Sequence, residues 1–276
     1  MKDIKSITGA ELGVGSPIKF EILETVSDLD YKMAIVMLEM IIKNNKAGKQ
    51  SMFILPVGPL GYAKRFAWLV NRNNVSLKDT IILNMDEYMW DEKTLMEPTH
   101  PLSFKKFMND DFYGMIRDDL NVLPENRLFP DPENLMSLWE RIQEKEGGVD
   151  IAFGGIGIDG HIAFNEPPDE DISVEDFGNL YTRVLPVHYS TRVLNSLVYG
   201  GNYKNMPEYC ITIGMKEILS AQKLRFFTGA SSRSASIVRE VLHGPVTPEV
   251  PASLMQNHPD CKIYCLQDAA MFLPVI

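Results

Sequence analysis

The stretch Asp150-Ile151-Ala152-Phe153-Gly154-Gly155-Ile156-Gly157-Ile158-Asp159-Gly160-His161-Ile162-Ala163-Phe164-Asn165-Glu166-Pro167 decides how this chain folds. It opens on a short apolar run, Asp150–Phe153, that does not alternate with polar residues, as suits a strand buried on both faces. Glycines follow at the carboxyl end of that run, where the backbone bends and lets a ligand approach closely. Gly155, Gly157 and Gly160 also spell G-x-G-x-x-G, a weak dinucleotide signal. The dinucleotide motif opens a helix, whereas Asn165-Glu166-Pro167-Pro168 arrives too early to allow one. No dinucleotide is therefore expected.

Outward from this loop the same alternation recurs. Strands are predicted at Lys19–Leu23, Met52–Leu55, Thr80–Leu83, Asp150–Phe153, Thr182–Leu185, Tyr209–Ile213, Arg225–Thr228 and Lys262–Leu266. Helices are predicted at Leu29–Asn44, Gly61–Asn71, Ser103–Asp118, Leu135–Lys145, Thr191–Val198 and Ser232–His243. That order predicts an α/β fold, a doubly wound, mainly parallel sheet with helices on both faces. No linker divides the chain, so one domain is expected over 1–276, with 1–17 as a polar N-terminal extension. The Pro-, Gly- and Asp-rich stretch Glu166–Gly178 is expected to be a long functional loop.

A net charge of −10 and a pI near 5.0 argue against a nucleic-acid partner or an anionic membrane surface. Cys210, Cys261 and Cys265 are too few and too oddly spaced for a disulfide framework or a zinc site. Met1–Pro17 carries no apolar leader core, and Met33–Met40 is too short to span a bilayer. A cytoplasmic location is expected.

In open α/β sheets ligands bind beyond the carboxyl ends of strands, and the chemistry-bearing residues fall there. Asn84-Met85-Asp86-Glu87-Tyr88 follows one strand. Neighbours in an extended chain point to opposite faces, so one carboxylate should face the crevice while the other caps or pairs elsewhere. The glycine loop carries Asp159, His161 and Glu166 close together, and flanking carboxylates can fix a histidine tautomer. Such a set suits proton transfer, although a structural histidine or a metal site would use the same residue types. Pro56-Val57-Gly58-Pro59-Leu60-Gly61 leads from a strand into a helix, a natural but imperfect anion cradle because Pro59 has no N–H. Thr228-Gly229-Ala230-Ser231-Ser232-Arg233 joins another strand to a helix. A cation such as Arg233 is unusual in a first turn, and a bound anion would explain it.

At these residues the sequence resembles the glucosamine-6-phosphate deaminase/isomerase family. Asn84–Tyr88 and Gly155–Pro167 are similar to its two signature strings. His100-Pro101 with Ser103-Phe104, Asn195-Ser196, and Ser253-Leu254 with Gln256, His258 and Pro259 extend the likeness along nearly the whole chain. The resemblance implies a Rossmann-like fold and conversion of an amino-sugar phosphate to a ketose phosphate and ammonia, without metal or organic cofactor. It implies Asp86 as the base shuttling a proton between C2 and C1, and His161 as the group assisting ring opening. Asp159 and Glu166 would orient His161. Val57, Gly58, Gly61, Glu87, Gly157, Gly160, Asn165, Ser232 and Arg233 would touch the substrate. A homo-oligomer is implied as well.

The related 6-phosphogluconolactonases share the Gly-Asp-Gly-His loop, but the run Ile162–Pro167 favours the deaminase side. A non-catalytic sugar-phosphate sensor is the other alternative. The family's anion loop reads Pro-Thr-Gly-Gly-Thr-Pro, where this chain has Pro56–Gly61. Leu197 stands where an arginine follows Asn-Ser, and Ser232 or Arg233 where a lysine is usual. Three readings follow: an anion met by Arg233, Arg192 or Arg183, an unphosphorylated or otherwise modified sugar, or binding without turnover. The acidic segment Pro167–Tyr181 further predicts that activation by an amino-sugar phosphate is absent.

Overall fold

A strand buried on both faces needs apolar side chains at odd and even positions alike, and the central runs of this chain have them. In the computed structural model, which describes residues 3–58, 61–228 and 231–273, the elements run β1 (Lys19–Leu23), α1 (Val26–Lys46), β2 (Ser51–Leu55), α2 (Gly61–Asn73), β3 (Thr80–Asn84), β4 (Asp86–Met89), α3 (Phe104–Phe107), β5 (Arg127–Leu128), α4 (Ser137–Glu144) and β6 (Ile151–Gly155). They continue with α5 (Val174–Gly178), β7 (Arg183–Pro186), α6 (Tyr189–Ser196), β8 (Tyr209–Thr212), α7 (Met215–Leu219), β9 (Leu224–Thr228), α8 (Ala235–His243), β10 (Cys261–Leu266) and α9 (Gln267–Met271).

Seven of these strands form a parallel sheet in the order β1-β10-β9-β6-β2-β3-β5. Met52 and Ile54 of β2 enter one core with Ala152, Phe226 and Ile263, under residues of α4, α7 and α8. Phe53 and Leu55 enter the other with Phe153, Phe227 and Tyr264, under α1 and α2. The α/β, doubly wound prediction therefore holds. β2 continues to β3 on one side while β6 continues to β9 on the other, so the strand order reverses between β2 and β6.

Two predicted strands are not in this sheet. Thr182–Leu185 and Tyr209–Ile213 contribute β7 and β8 to a separate antiparallel sheet, ordered β4-β8-β7. Its first strand, β4, starts two residues after β3 ends. At the step between them the N–H of Met85 donates to Leu55 of β2 (3.0 Å), and its carbonyl accepts from Ile213 (2.7 Å). The chain thus crosses from one sheet to the other at Met85.

The helix expected over Ser103–Asp118 is broken into α3, a π turn at Met108–Phe112 and a 3-10 turn at Tyr113–Met115. The extra residue of the π turn brings Met108, Phe112 and Tyr113 all inward, and Phe112 stacks on Phe66 with centroids 5.4 Å apart. The expected N-terminal extension is docked: Leu12 enters the core, and Arg239, wholly buried, donates from Nε to the carbonyl of Ile7 at 2.7 Å. Among the described residues no helix is long and apolar enough to cross a membrane.

Candidate functional site

A cleft of about 360 Å³ opens where the strand order reverses, the position at which open α/β sheets hold ligands. Pro56, Val57 and Gly58 enter it from the end of β2, and Gly155, Ile156 and Gly157 from the end of β6. Met85, Asp86 and Tyr88 arrive from the step between the sheets, and His161, Ala163 and Phe164 from the glycine loop. Thr191, Asn195, Val198 and Tyr199 close the far wall from α6 and the turn after it.

Asp86 and Glu87 divide as strand alternation demands. Asp86 faces the cleft, 7% exposed, and no described group donates a hydrogen bond to its side chain. Burial raises its carboxyl, the neighbouring charge of Glu87 adds to the rise, and together they bring it to about 8. Glu87, expected to touch substrate, points the other way. Its carboxylate accepts from Ser103 Oγ (2.8 Å), the N–H groups of Phe104 (2.9 Å) and Lys105 (2.8 Å), and its neighbour Tyr88 N–H (2.9 Å). It thereby anchors the start of α3 and is saturated.

The glycine loop presents His161. Asp159 Oδ1 lies 2.7 Å from His161 Nδ1 and accepts the His161 backbone N–H at 3.1 Å. Burial would raise the Asp159 carboxyl, but the hydrogen bond and charge of His161 outweigh it and hold the group low. An ionised Asp159 makes Nδ1 the donor and leaves Nε2 for a ligand. Gly157 makes room for the ring, since a Cβ there would lie 2.1 Å from His161 Cε1. Ala163, on the same wall, is held at φ 56°, a left-handed conformation that costs a non-glycine residue about 1–2 kcal/mol.

Glu166, expected to orient His161 together with Asp159, makes its hydrogen bonds to other residues. The narrow turn Ile162–Asn165 carries it toward α6, where it accepts from the His188 N–H at 2.9 Å and from the Thr191 hydroxyl. It fixes the helix that supplies Thr191 and Asn195. Asn165 is wholly buried, donates to Ile162 and Ile213 carbonyls (both 2.9 Å), and accepts from Arg183 Nη1 at 2.8 Å. Gly160, at φ +87°, packs against Val250 and Ile237. Both shape the loop from behind and do not line the cleft.

The expected anion positions divide further. Val57 and Gly58 line the cleft, whereas Gly61 lines a different cavity with Asp30, Tyr31, Lys64, Arg65 and Trp68. Ser232 and Arg233 are exposed outside the lining, with Arg233 Nε donating to Ser231 Oγ at 2.9 Å. Pro59, Leu60, Gly229 and Ala230 lie outside the described residues. Arg183 is tied to Asn165, and Arg192 pairs with Glu208 at 3.1 Å.

Residues missed from sequence complete the walls. Tyr88 accepts from Asn195 Nδ2 at 2.8 Å, joining the small sheet to α6. Its spacing of two from Asp86 puts both on one face, a signal that alternation could have supplied. Asp159, Glu166 and His188 each place one ligand atom within 4.8 Å of the others. Asp159 holds His161 and Glu166 holds the start of α6, so within this group Glu166 is the link between loop and helix.

No family model matches the chain. A glucosamine-6-phosphate deaminase of Lachnoclostridium phytofermentans is 31% identical over 247 residues, 87% of this chain and 95% of the relative. One of Thermoanaerobacter pseudethanolicus is 30% identical over 239 residues, 86% of this chain and 89% of the relative. Among solved structures, a monomeric glucosamine-6-phosphate deaminase superposes with a TM-score of 0.77 at 25% identity, over 92% of this chain and 99% of that one. A 6-phosphogluconolactonase from Thermotoga maritima shares the fold, with a TM-score of 0.62 at 13% identity over 91% of this chain and all of that one (100%).

Proposed function

The chain belongs to the glucosamine-6-phosphate deaminase family and is an enzyme of that type; from this premise we propose that it converts an amino sugar from aldose to ketose with release of ammonia. The observation that carries the reading is one cleft holding Asp86, buried and without a hydrogen-bonded partner among the described residues, together with His161 braced by Asp159.

The chemistry needs a group at the ring oxygen and a base that moves a carbon-bound proton. His161 Nε2 handles the ring oxygen and the anomeric hydroxyl as the ring opens. Asp86 takes the proton from C2 and returns it at C1, so that C2 is oxidised and C1 reduced within one molecule. The resulting imine at C2 is hydrolysed by one water to the ketone, and the nitrogen leaves as ammonia. A carboxyl raised to about 8 gives a conjugate base stronger than an ordinary carboxylate. The ammonium of the arriving substrate favours ionised Asp86, because an opposite charge close by stabilises the charged form.

The same reading has the protein act on a small sugar in the cytoplasm, supported by three buried free thiols that suit a reducing compartment. Self-association is part of it, supported by the exposed Tyr31 and Trp68 on neighbouring helices α1 and α2. The direct test is ammonia release from a panel of amino-hexoses. Asp86→Asn is expected to slow release by about 10²–10⁴-fold while sugar binding persists. Unchanged turnover in that variant removes Asp86 from the base role.

A further inference from the structure

An enzyme that grips a phosphorylated sugar needs charge-assisted donors where the phosphate lies, because a desolvated dianion without a counter-ion is costly. Among the described residues no lysine or arginine lines the cleft. Pro59, Leu60, Gly229 and Ala230, outside that set, are uncharged by type. His161 adds no net positive charge, since Asp159 is paired with it. Asp86 contributes an acidic group, and the whole chain carries −10.

The nearby arginines lie outside the cleft lining, and each already holds a protein partner. Arg183 is bonded to Asn165 and the Tyr181 carbonyl, Arg192 to Glu208, and Arg233 folds back on Ser231. The start of α2 already faces an acid: the Asp30 carboxyl lies so close to Gly61 that a Cβ there would fall 1.8 Å from Oδ2. The lining instead carries Val198 and Tyr199, exposed by 77% and 54%, next in chain to the exposed Leu197. They offer van der Waals contact and one phenol, and no cation.

We propose that the cleft takes an amino sugar bearing no phosphate or other anionic group, its hydroxyls and ring lying against Val57, Phe164, Val198 and Tyr199. The proposal rests on the deaminating-isomerase reading for its amino group and on the cleft's charge for the missing anion.

Titration calorimetry of the full chain with glucosamine, glucosamine 6-phosphate and inorganic phosphate separates these points. Glucosamine is expected to bind, with its 6-phosphate no more than about threefold tighter and inorganic phosphate silent up to ~10 mM. A 6-phosphate ester binding about 100-fold tighter or more, the gain expected from two charge-assisted contacts, overturns the proposal. So does a smaller phosphate preference that Arg233→Ala removes, and so does failure of glucosamine to bind at all. Ammonia assays on the same samples distinguish the two readings. Ammonia from a tightly held ester refutes the phosphate-free class and leaves the reaction standing. Glucosamine bound without ammonia release refutes the reaction and leaves the charge argument standing.

Discussion

Replacing Asp86 by asparagine should make the protein more stable near neutral pH and slow its turnover, and the stability gain should grow with pH. The Asp86 carboxyl titrates at about 8 in the fold, against about 3.9 in an unfolded chain. Below the unfolded value both states hold the proton, and the residue costs nothing. Between the two values the unfolded chain releases a proton that the fold retains, so stability falls by about 1.4 kcal/mol per pH unit. Above the folded value both states are ionised and the loss stays constant. The accumulated cost is about 1.5 kcal/mol near pH 5 and about 4 kcal/mol near pH 7. Asparagine has nearly the same shape and does not ionise. Its amide sits where no described group partners the carboxylate, a penalty of about 1–2 kcal/mol that is independent of pH. The variant should therefore roughly match the parent near pH 5 and exceed it by about 2–3 kcal/mol near pH 7. Urea unfolding across that range, with m-values compared, measures the difference. A gap between the two proteins that stays flat with pH refutes the argument, because it would mean that Asp86 is not held protonated by burial. Turnover should meanwhile fall by about 10²–10⁴-fold, the usual contribution of a general base.

Gly157→Ala should drive the His161 ring out of place, given the 2.1 Å approach. Turnover should drop by about 10–100-fold, and combining it with His161→Ala should cost little more than His161→Ala alone. Asp159→Asn removes the charge that keeps Nδ1 the donor, so kcat should fall on the order of 10²-fold with KM little changed. Glu87→Gln removes the second cause of the raised Asp86 carboxyl. The acid limb of the turnover profile, on which activity rises as Asp86 loses its proton, should move to lower pH. The same variant should lose about 1–3 kcal/mol of stability, because the carboxylate that caps α3 is weakened. An unmoved acid limb would show that the two carboxyls are not coupled.

The parallel sheet was legible because its central strands are buried on both faces, which writes uninterrupted apolar runs such as Met52–Leu55 and Thr80–Leu83. The small sheet was not. Arg183–Pro186 and Tyr209–Thr212 look locally like any short strand, and nothing within a strand names its partner. Asp86–Met89 was hidden because two carboxylates lead it, and Arg127–Leu128 because two residues hold no period. The break in the Ser103–Asp118 helix depends on where Phe112 finds Phe66, a contact between distant segments.

The candidate site divides along the same line. Asp86 against Glu87, and Asp159 against His161, are relations between near neighbours, and alternation and loop spacing expose them. The partners of Glu166 are His188 and Thr191, 22 and 25 residues further on, and Tyr88 of the small sheet meets Asn195 of α6. These contacts explain why the antiparallel sheet exists at all. By leaving the parallel sheet at Met85, the chain carries Asp86 over the ends of β2 and β6, opposite His161. Thr212 of β8 pairs with Asp86 in register, and its hydroxyl receives the N–H of Phe164 at 3.1 Å. One small sheet thus brings Asp86 and the histidine loop to the same cleft. Nothing in that frame depends on how the far end of the sugar is held. On the reading proposed above, the side chains at Val57 and Leu197 can vary without disturbing that frame, so substrate charge can change while the proposed chemistry stays fixed.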